Sequence, residues 1–548
     1  MLRFHVQSID LSGPWRADGS GWRAGRSYIE PYPHPALEHF SITAAERVLI
    51  VVRERLAGVS RAASPQSHDG VEVVGEEAFL DEYGAALQWP LDYVAVQLSL
   101  RADAPAVELR AGMWGSAPLY LVSRGGDLWG DWDPAELYAH LTSEQLSAEY
   151  AARFLVNCDQ PYSRRTLIPE IQRLTERARA LWTPEGGSSR LAFEYPPDAP
   201  LQSARKLKPG ADPVAGFLEI VGASARRWLT VPPESLSAQL SGGLDSAIVA
   251  GVVAGSSPEP LRTFGLLMPG DLGAQQQRRR AELARLFGLK DEHLNVGDYE
   301  MFSQDGSRVP EGRVVPWEEI FIEGFEALLS LTRGAGCVVS FNGTGGDELC
   351  SLHWPEMTGD EQARRRQQHT GEPAGIPPFL TRQAREAFGD TRREDWAPVS
   401  PLFTSALEAA AAVSGMFLRH GVWPVSPLCT PELVAFCQRL PLEWRENRRI
   451  EREVLLRLGC SREVVYPTSP EHFGPFVEQS VRAKSRPLFA QLFSESRLGE
   501  LGLVDAERLR FTYDEHCEGR GGYDSIHFYA AAVLELTLRC VAARRGRV

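Results

Sequence analysis

The 548-residue sequence is poor in lysine and lacks the marks of a membrane or secreted protein. Its only lysines are Lys206, Lys208, Lys290 and Lys484, so arginine supplies nearly all of the 58 basic residues. We find no run of about 18 apolar residues, which a membrane span requires. The first residues contain no basic segment followed by an apolar one, so we do not expect a secreted protein. These absences predict a cytoplasmic protein with no membrane partner.

Metal-binding cysteine patterns are also missing, and the net charge is negative, although a local basic groove stays possible. The eight cysteines form no CxxC pair and no Cys/His spacing typical of zinc, which predicts reduced thiols in the core. The formal net charge of −14 argues against nucleic acid as a partner, because binding to phosphate backbones needs a basic face. No G-x-x-x-x-G-K-[ST] motif is present, so the chain has no Walker A loop.

The length and the pattern of the chain predict two domains. Residues 1–205 alternate short β-rich runs such as RVLIVVRERL and YVAVQLSL with turn residues, which predicts an antiparallel β-sandwich. A polar, proline-containing stretch follows. Within residues 206–548 strands alternate with helices, which predicts an α/β domain with a parallel sheet and added helices. The fold class is therefore mixed α/β.

The stretch LSAQLSGGLDSAIVAG, residues 236–251, places a glycine-rich loop between a strand and a helix. Ligands of parallel sheets bind at such strand ends, where the N-terminus of a helix favours an anion. Gly242 and Gly243 permit a close approach of the backbone to phosphate, and Ser241 and Ser246 add hydroxyl groups. Asp245 is a candidate ligand for Mg²⁺. The alternative interpretation is an ordinary Ser/Gly turn capped by an aspartate.

A second stretch, CVVSFNGTGGDELC, repeats this pattern about 100 residues later. A buried strand is followed by Asn342, three glycines (Gly343, Gly345 and Gly346) and the acidic pair Asp347 and Glu348. If the two strands are neighbours, Asp245 and Asp347 face one crevice. Two carboxylates there predict a site for one or two Mg²⁺ ions on a triphosphate.

SGGLDS and NGTGGDE together resemble the pyrophosphate loop and the synthetase domain of the asparagine synthetase family. The resemblance implies that ATP is cleaved to AMP and pyrophosphate while a carboxylate is activated and captured by an amine. The stretch LRTFGLLMPG resembles the strand that frames adenine, and RAGMWGSAPLYLV resembles part of the family's glutamine amidotransferase domain. The nucleotide-binding residues that the resemblance implies are Leu240, Ser241, Gly242, Gly243, Asp245, Ser246, Leu266, Met268, Asn342, Gly343, Gly345 and Gly346.

The sequence departs from this family at three points. Asparagine synthetases release ammonia from glutamine with an N-terminal cysteine, but residue 2 is Leu2 and the first cysteine is Cys158. Residues 1–205 are therefore predicted to be a degenerate amidotransferase-like domain. Thr344 occupies the position that is Glu in asparagine synthetases and Tyr in β-lactam synthetases. The position of the family's lysine falls near Ser469 or Pro470, where this sequence has no lysine. Lys484, an arginine or His472 would therefore have to pair with the phosphate charge.

These departures resemble the lasso peptide cyclases, as does the stretch GIPPFLTRQAREAF. The resemblance implies a precursor peptide as substrate, with a leader-binding protein and a leader peptidase as partners. Thr344 and His472 are candidate catalytic residues, and Glu348 and Glu432 are candidates for proton acceptance or placement of the amine. The residues that we expect to line the peptide cavity are Trp354, Trp396, Trp423, Trp444, Arg448 and Arg449.

Alternative interpretations place the chain elsewhere in the same family or outside it. A β-lactam synthetase-like enzyme would close a ring on a small amino-acid derivative, but Thr344 in place of Tyr disfavours this. Another amidating ligase of the family is a further alternative. A tRNA-modifying enzyme is disfavoured by the negative charge and by the lack of paired catalytic cysteines. A non-catalytic binding protein is disfavoured by the presence of both Asp245 and Asp347.

Overall fold

The fold is described from a computed structural model, which covers most of the chain. It describes every residue except 20, 60–66, 69–70, 102, 117, 201, 304–305, 310–311, 363–374, 390–395, 469–472 and 547–548. The strands are β1 (Leu2–Gln7), β2 (Arg16–Ala17), β3 (Trp22–Ala24), β4 (Ser27–Pro31), β5 (Leu37–Ala44), β6 (Arg47–Glu54), β7 (Ser67–His68), β8 (Val71–Val73), β9 (Tyr93–Ser99), β10 (Ala106–Ala111), β11 (Leu119–Arg124), β12 (Asp127–Asp131), β13 (Gln172–Leu174), β14 (Arg179–Glu185), β15 (Ser188–Glu194), β16 (Leu236–Gln239), β17 (Arg262–Leu267), β18 (Lys290–Asn295), β19 (Val339–Phe341) and β20 (Trp423–Val425).

Helices are concentrated in the second half of the chain. The α-helices are Glu76–Leu87, Ala148–Asn157, Pro213–Arg227, Leu244–Ser256, Gly270–Phe287, Ile322–Gly334, Gly346–Leu349, Arg382–Gly389, Thr404–Arg419, Pro431–Arg439, Leu442–Arg445, Arg449–Arg457, Arg462–Val465, Gly474–Gln479, Arg486–Ser494, Arg497–Glu500, Ala506–Cys517 and Ser525–Arg544. The predicted boundary between residues 205 and 206 lies between β15 and the helix that begins at Pro213, and it stays a prediction.

Two stacked sheets form the N-terminal part, as the alternating sequence pattern predicts. Their strand orders are β13-β11-β12-β1-β4-β3-β2 and β15-β14-β10-β9-β6-β5-β8-β7, and all pairs are antiparallel except β5 with β8. Along β6, Val48 and Ile50 enter the core between the sheets, whereas Leu49 and Val51 pack under the helix Glu76–Leu87. Alternate residues of one strand thus serve two apolar layers. The predicted antiparallel sandwich is confirmed.

A five-stranded parallel sheet with the order β18-β17-β16-β19-β20 forms the centre of the C-terminal part. β16 and β19 are direct neighbours, with Leu236 opposite Val339. The two glycine-rich strand ends therefore lie side by side, which is the condition that the sequence argument required. The α/β class predicted for this part is confirmed. The sequence predicts a mostly helical region from about residue 355 onward, and the structure adds to it the edge strand β20, Trp423–Val425. A strand of three residues is too short for the alternation of side chains between its two faces to be visible in the sequence.

The C-terminal helix Ser525–Arg544 is buried on nearly all sides, although its sequence predicts an amphipathic helix. Within the described residues it is the one helix long and apolar enough to cross a membrane, and 72% of its most apolar window is buried inside the protein. The core helix of a folded domain meets the same test. All eight cysteines are free, and six of them are buried, as the lack of metal spacing predicts.

A buried carboxyl group joins the sandwich to the parallel sheet. Trp423 Nε1 donates a hydrogen bond to Glu54 Oε1 at 2.6 Å, and Asp92 N donates to Glu54 Oε2 at 2.9 Å. Burial, with a further contribution from the charge of Asp92, raises the pKa of Glu54 from 4.5 to about 7. The folded protein therefore binds this proton more tightly than the unfolded chain does.

We expect Glu54→Gln to change the pH dependence of stability. The stabilisation from the protonated Glu54 is complete below pH 4.5 and is lost as the pH rises through about 7. Glutamine has the same size and does not titrate, so the decline in the free energy of unfolding between these pH values should be shallower in the variant. Denaturant titrations of both proteins across this range measure the difference. Parallel curves of the free energy of unfolding against pH for the two proteins would contradict the raised pKa of Glu54.

Candidate active site

The loop 241–246 is held in shape by its own hydroxyl groups. Ser241 N donates to Ser246 Oγ at 3.1 Å, and Gly243 N donates to Ser241 Oγ at 3.1 Å. Gly242 has a φ of 93°, a left-handed conformation that favours glycine. Gly243 caps the helix Leu244–Ser256 without a side-chain hydrogen bond, so no side chain competes for the first N–H groups of that helix. The loop has the properties of an anion site.

The neighbouring helix Gly270–Phe287 supports this loop from behind with polar side chains. Gln276 Nε2 donates to Ser241 O at 3.2 Å, and Arg279 Nε donates to Gly242 O at 3.0 Å. Gln276 and Arg279 are buried in spite of their polarity. Sequence reasoning missed both residues. The available signal is their spacing of three, which places polar groups on the helix face that packs against the sheet.

The second loop, 342–346, packs directly onto Asp245. A Cβ atom on Gly346 would lie 2.2 Å from Asp245 Oδ1, and one on Gly343 would lie 2.8 Å from Asp245 Cβ. Gly345 has a φ of 92° and packs against Cys429. Asn342 Oδ1 accepts hydrogen bonds from Thr344 N at 3.0 Å and from Ser426 Oγ at 2.8 Å, which fixes the turn. These glycines leave room for the carboxylate of the first loop.

Arg448 connects the two predicted metal ligands. Its guanidinium group donates to Asp245 and to Asp347, and its Nε donates to Glu451 Oε2 at 2.5 Å. Asn447 and Arg448 have φ values of 52° and 56°, so two consecutive residues are left-handed where one helical turn ends and the next helix begins. Such strain is typical of functional sites. Arg448 is thus a described arginine that contacts both predicted metal ligands.

Burial shifts the pKa values of the acidic groups around Arg448. Burial raises the pKa of Asp245 to about 7, and Arg448 counteracts this shift more strongly than Asp347 reinforces it. Burial and the charge of Asp245 raise the pKa of Glu451 to about 8. The side chain of Asp347 is 78% exposed, whereas that of Asp245 is 21% exposed. Glu451 was missed by the sequence reasoning, although it lies three residues from Arg448 on the same helical face.

A cavity of about 270 Å³ lies between the two loops. It brings together these residues of the predicted set: Leu240, Ser241, Gly243, Asp245, Ser246, Leu266, Asn342, Gly343 and Thr344. Phe264, Phe325 and Phe473 contribute apolar walls. Gln239 also lines it, and its Nε2 atom is buried without a hydrogen-bond partner. Polar strand ends beside an apolar wall suit a ligand with a phosphate end and an aromatic end.

Other predicted residues lie beside the cavity or apart from it. The charge of Glu348 contributes to the raised pKa of Asp245, which places it close to the site. The backbone N–H of Met268 already forms a hydrogen bond within the protein, which it donates to Gln276 Oε1 at 2.7 Å. Glu432 forms an ion pair with Arg227 at 2.7 Å, and Lys484 forms one with Glu300 at 2.5 Å. His472, Ser469 and Pro470 lie outside the described residues.

The aromatic residues expected to line a peptide cavity are separated in the structure. Trp423 is fully buried in β20, where it contacts Glu54. Trp396 lies against Arg153, and Trp444 lies against Arg449. The side chain of Trp354 is outside the described part of the chain. Of the expected set, Arg448 is the residue that contacts the two aspartates.

The two aspartates fit a metal ion that takes most of its ligands from phosphate oxygens and water. Within the described residues, no group of three or more His, Cys, Asp or Glu side chains is placed to hold a metal. Asp245 and Asp347 offer two carboxylates that converge on one guanidinium group. Mg²⁺ is commonly bound by one or two carboxylates together with phosphate oxygens and water. The donor set therefore suits Mg²⁺ on a bound polyphosphate.

Comparison with protein families agrees with this geometry. The model of the family described as asparagine synthase matches residues 223–539, which include both glycine-rich loops, Arg448 and Glu451. The chain belongs to the asparagine synthase family. It is therefore an ATP-dependent amidating ligase. A comparison with curated protein sequences gave no match.

Solved structures similar to this member of the asparagine synthase family have low sequence identity. The U34-tRNA thiolase NcsA from Methanococcus maripaludis, with its [4Fe-4S] cluster, is 12% identical over 59% of this chain and 89% of that chain, with a TM-score of 0.26. The NH3-dependent NAD synthetase from Campylobacter jejuni is 9% identical over 56% of this chain and 93% of that chain, with a TM-score of 0.21. Scores this low carry no conclusion about function.

Proposed function

We propose that this asparagine synthase family member is an AMP-forming macrocyclase of the lasso peptide cyclase type. It would adenylate an Asp or Glu side chain of a core peptide and close an isopeptide ring with the peptide's own α-amine. A leader-binding protein and a leader peptidase would supply the peptide. The observation that carries the proposal is a ligase site joined to a sandwich domain that has no reactive thiol.

The missing thiol removes the usual internal source of ammonia. No cysteine precedes Cys158 in the sequence. Cys158 caps the helix Ala148–Asn157, and burial raises the pKa of its thiol far above the usual value. A thiol that stays protonated is a poor nucleophile. An amine carried by the substrate itself removes the need for glutamine hydrolysis.

The proposed reaction has two steps. A side-chain carboxylate oxygen of the peptide bonds to the α-phosphorus of ATP, and pyrophosphate leaves. The α-amine then bonds to the activated carbonyl carbon, AMP leaves with the C–O bond electrons, and the amine loses a proton. Because an amine tethered near the activated carbonyl has a high effective molarity, the second step depends more on positioning than on a strong base.

The chain's own residues supply charge and position for the first step. Arg448 is a permanent cation beside Asp245 and Asp347, and it would face the phosphate groups in place of the missing lysine. The loop 241–246 would hold the pyrophosphate through its N–H and hydroxyl groups. Asp245 and Asp347 would hold Mg²⁺, which when bound neutralises phosphate charge. Glu348, whose charge acts on Asp245, would be the proton acceptor.

The hydroxyl group of Thr344 should have a modest effect on the rate. Thr344 lines the cavity, but its contact with Asn342 Oδ1 uses the backbone N–H, which survives substitution. Thr344→Ala removes one neutral hydrogen-bonding group, so we expect a loss of about 0.5 to 1.5 kcal/mol, or up to roughly tenfold in AMP formation. Thr344→Ser should retain the wild-type rate. Complete loss in Thr344→Ala would instead make this hydroxyl group essential.

Mass spectrometry of products tests the proposed function directly. Purified protein, ATP and Mg²⁺ are incubated with lasso core peptides, with β-amino-acid derivatives, or with aspartate plus ammonia. Loss of one water from a core peptide together with release of AMP would support the macrocyclase. The same loss from a β-amino-acid derivative, or conversion of aspartate to asparagine, would contradict it and identify another branch of the family. Release of ADP would contradict the AMP-forming step.

A further inference from the structure

One arginine side chain contacts three carboxyl groups at the nucleotide site. Arg448 Nη1 donates to Asp347 Oδ1, its Nη2 donates to Asp245 Oδ1, and its Nε donates to Glu451 Oε2 at 2.5 Å. Each of the three guanidinium nitrogen atoms thus serves a different carboxyl group. Both aspartates that we expect to hold Mg²⁺ are therefore already bound to a cation of the protein itself.

The two ends of this guanidinium group lie in different surroundings. The side chain of Glu451, which binds the Nε end, is 1% exposed, and its Oε1 accepts a hydrogen bond from Cys350 Sγ at 3.5 Å. The contact of the Nη1 atom with Asp347 lies at the surface of the protein. Exposed ion pairs contribute little to stability, so this contact is easily exchanged. The buried Glu451 is by comparison a fixed anchor for the arginine.

The guanidinium group and a metal ion need the same two aspartates. Mg²⁺ binds carboxylate oxygens directly, at about 2.0 to 2.1 Å. If each aspartate gave one oxygen to Arg448 and the other to Mg²⁺, the two cations would lie side by side. The side chain of Asp245 is mostly buried, so water and salt would screen the repulsion between these cations only weakly. Arg448 must therefore release the aspartates before a metal ion binds both of them.

A polyphosphate offers the arginine another partner. A guanidinium group is always charged, and its planar fork of donors matches phosphate oxygens as well as carboxylates. The loop 241–246, which we expect to hold the phosphate groups, contains Asp245 itself. Phosphate bound there would lie beside Arg448, because Arg448 contacts Asp245. The terminal nitrogen atoms can pass from the aspartates to the phosphate while Glu451 holds the Nε end.

We propose that Arg448 competes with the metal ion for Asp245 and Asp347, so that a divalent cation binds firmly only together with polyphosphate. Glu451 keeps the guanidinium group beside the site, and phosphate draws its two terminal nitrogen atoms away from the aspartates. Metal binding is thereby coupled to nucleotide binding. This inference rests on the metal site of the proposed function but not on the identity of the acceptor substrate.

Titration of the full-length protein with Mn²⁺, without nucleotide, tests this proposal. Mn²⁺ takes the same oxygen ligands as Mg²⁺, and the electron paramagnetic resonance signal of the free ion measures how much is bound. Arg448→Met keeps the apolar stem but removes the charge and the hydrogen bonds, so it should bind Mn²⁺ at least tenfold more tightly than the wild type. A residue that only supports the fold would weaken binding when replaced.

Two further variants locate this gain in affinity. Arg448→Met combined with Asp245→Asn should lose the gain, because one of the released carboxylates is then missing. Arg457→Met is the matched control, since it removes the same charge from an exposed ion pair with Asp212 at the far end of the helix Arg449–Arg457. The control should bind Mn²⁺ like the wild type. A gain that persists without the carboxylate of Asp245, or that appears equally in the control, would overturn the proposal.

Arg448→Lys separates the charge of the arginine from its forked contact. Lysine keeps the positive charge but has a shorter side chain with a single ammonium group, so it should hold the two aspartates less firmly. Its affinity for Mn²⁺ should therefore lie between those of the wild type and Arg448→Met, with a normal circular dichroism spectrum. If Arg448→Met does not fold, this comparison decides alone. Affinity no higher than that of the wild type in Arg448→Lys would contradict the proposal, whatever product the ligase forms.

Discussion

Asp245→Asn and Asp347→Asn should each reduce ATP-dependent AMP formation by more than about 100-fold. Each substitution keeps the size of the side chain but removes one of the two carboxylates that meet at Arg448. Loss of a charge that positions phosphate and metal is worth several kcal/mol, and each 1.4 kcal/mol corresponds to a factor of ten. Calorimetric titration of ATP with Mg²⁺ should show weaker binding in both variants. This measurement requires no knowledge of the acceptor substrate.

The two variants should differ in their effect on stability. Asp347 is largely exposed, so Asp347→Asn should unfold at nearly the wild-type temperature. Asp245 is buried between two loops and pairs with Arg448, so Asp245→Asn should change stability as well as activity. Asp103→Asn, in an exposed surface ion pair, serves as the control and should change neither property. Wild-type ATP binding and AMP formation in both active-site variants would refute the site.

The strands and helices were predictable wherever apolar residues form a clear pattern along the sequence. The continuous apolar run of β6 is visible in the sequence because both faces of the strand are buried, with Val48 and Ile50 in one layer and Leu49 and Val51 in the other. β20 was not predictable, because three residues show no period and because Pro424 is unusual inside a sheet. The sheet edge tolerates it, since among the described residues one side of β20 has no strand partner.

The candidate site was predictable where glycine and aspartate share a short motif. SGGLDS and NGTGGDE point to Asp245 and Asp347 because strand ends need small residues there to admit a ligand. Arg448 was predicted only as one of six residues lining a peptide cavity, and Glu451 was missed. Their contribution depends on two left-handed residues, Asn447 and Arg448, that redirect the chain. Asn447 is of a type that adopts this conformation more often than most residues, but Arg448 is not, so the sequence carries only a weak sign of this turn.

Gly346→Ala should inactivate the enzyme without unfolding it. The added Cβ would lie 2.2 Å from Asp245 Oδ1 and 2.3 Å from Asp245 Cγ, while no backbone atom is among its nearest neighbours. Gly346 has no positive φ, so alanine fits the backbone conformation. Because the added Cβ would also lie 2.8 Å from Asp245 Cβ, which rotation of the side chain cannot move, Asp245 as a whole must shift from the position in which it meets Arg448. We expect a loss of AMP formation close to that of Asp245→Asn, with nearly wild-type circular dichroism.

A double-mutant cycle separates this displacement from general damage. If Gly346→Ala acts through Asp245, the variant that combines it with Asp245→Asn should be no less active than Asp245→Asn alone, because the same interaction is lost once. Gly255→Ala is the matched control, since its Cβ would meet no atom within 4 Å and alanine favours the helix Leu244–Ser256. That control should retain full activity. Additive losses in the double variant would show that Gly346 acts by a route other than the position of Asp245.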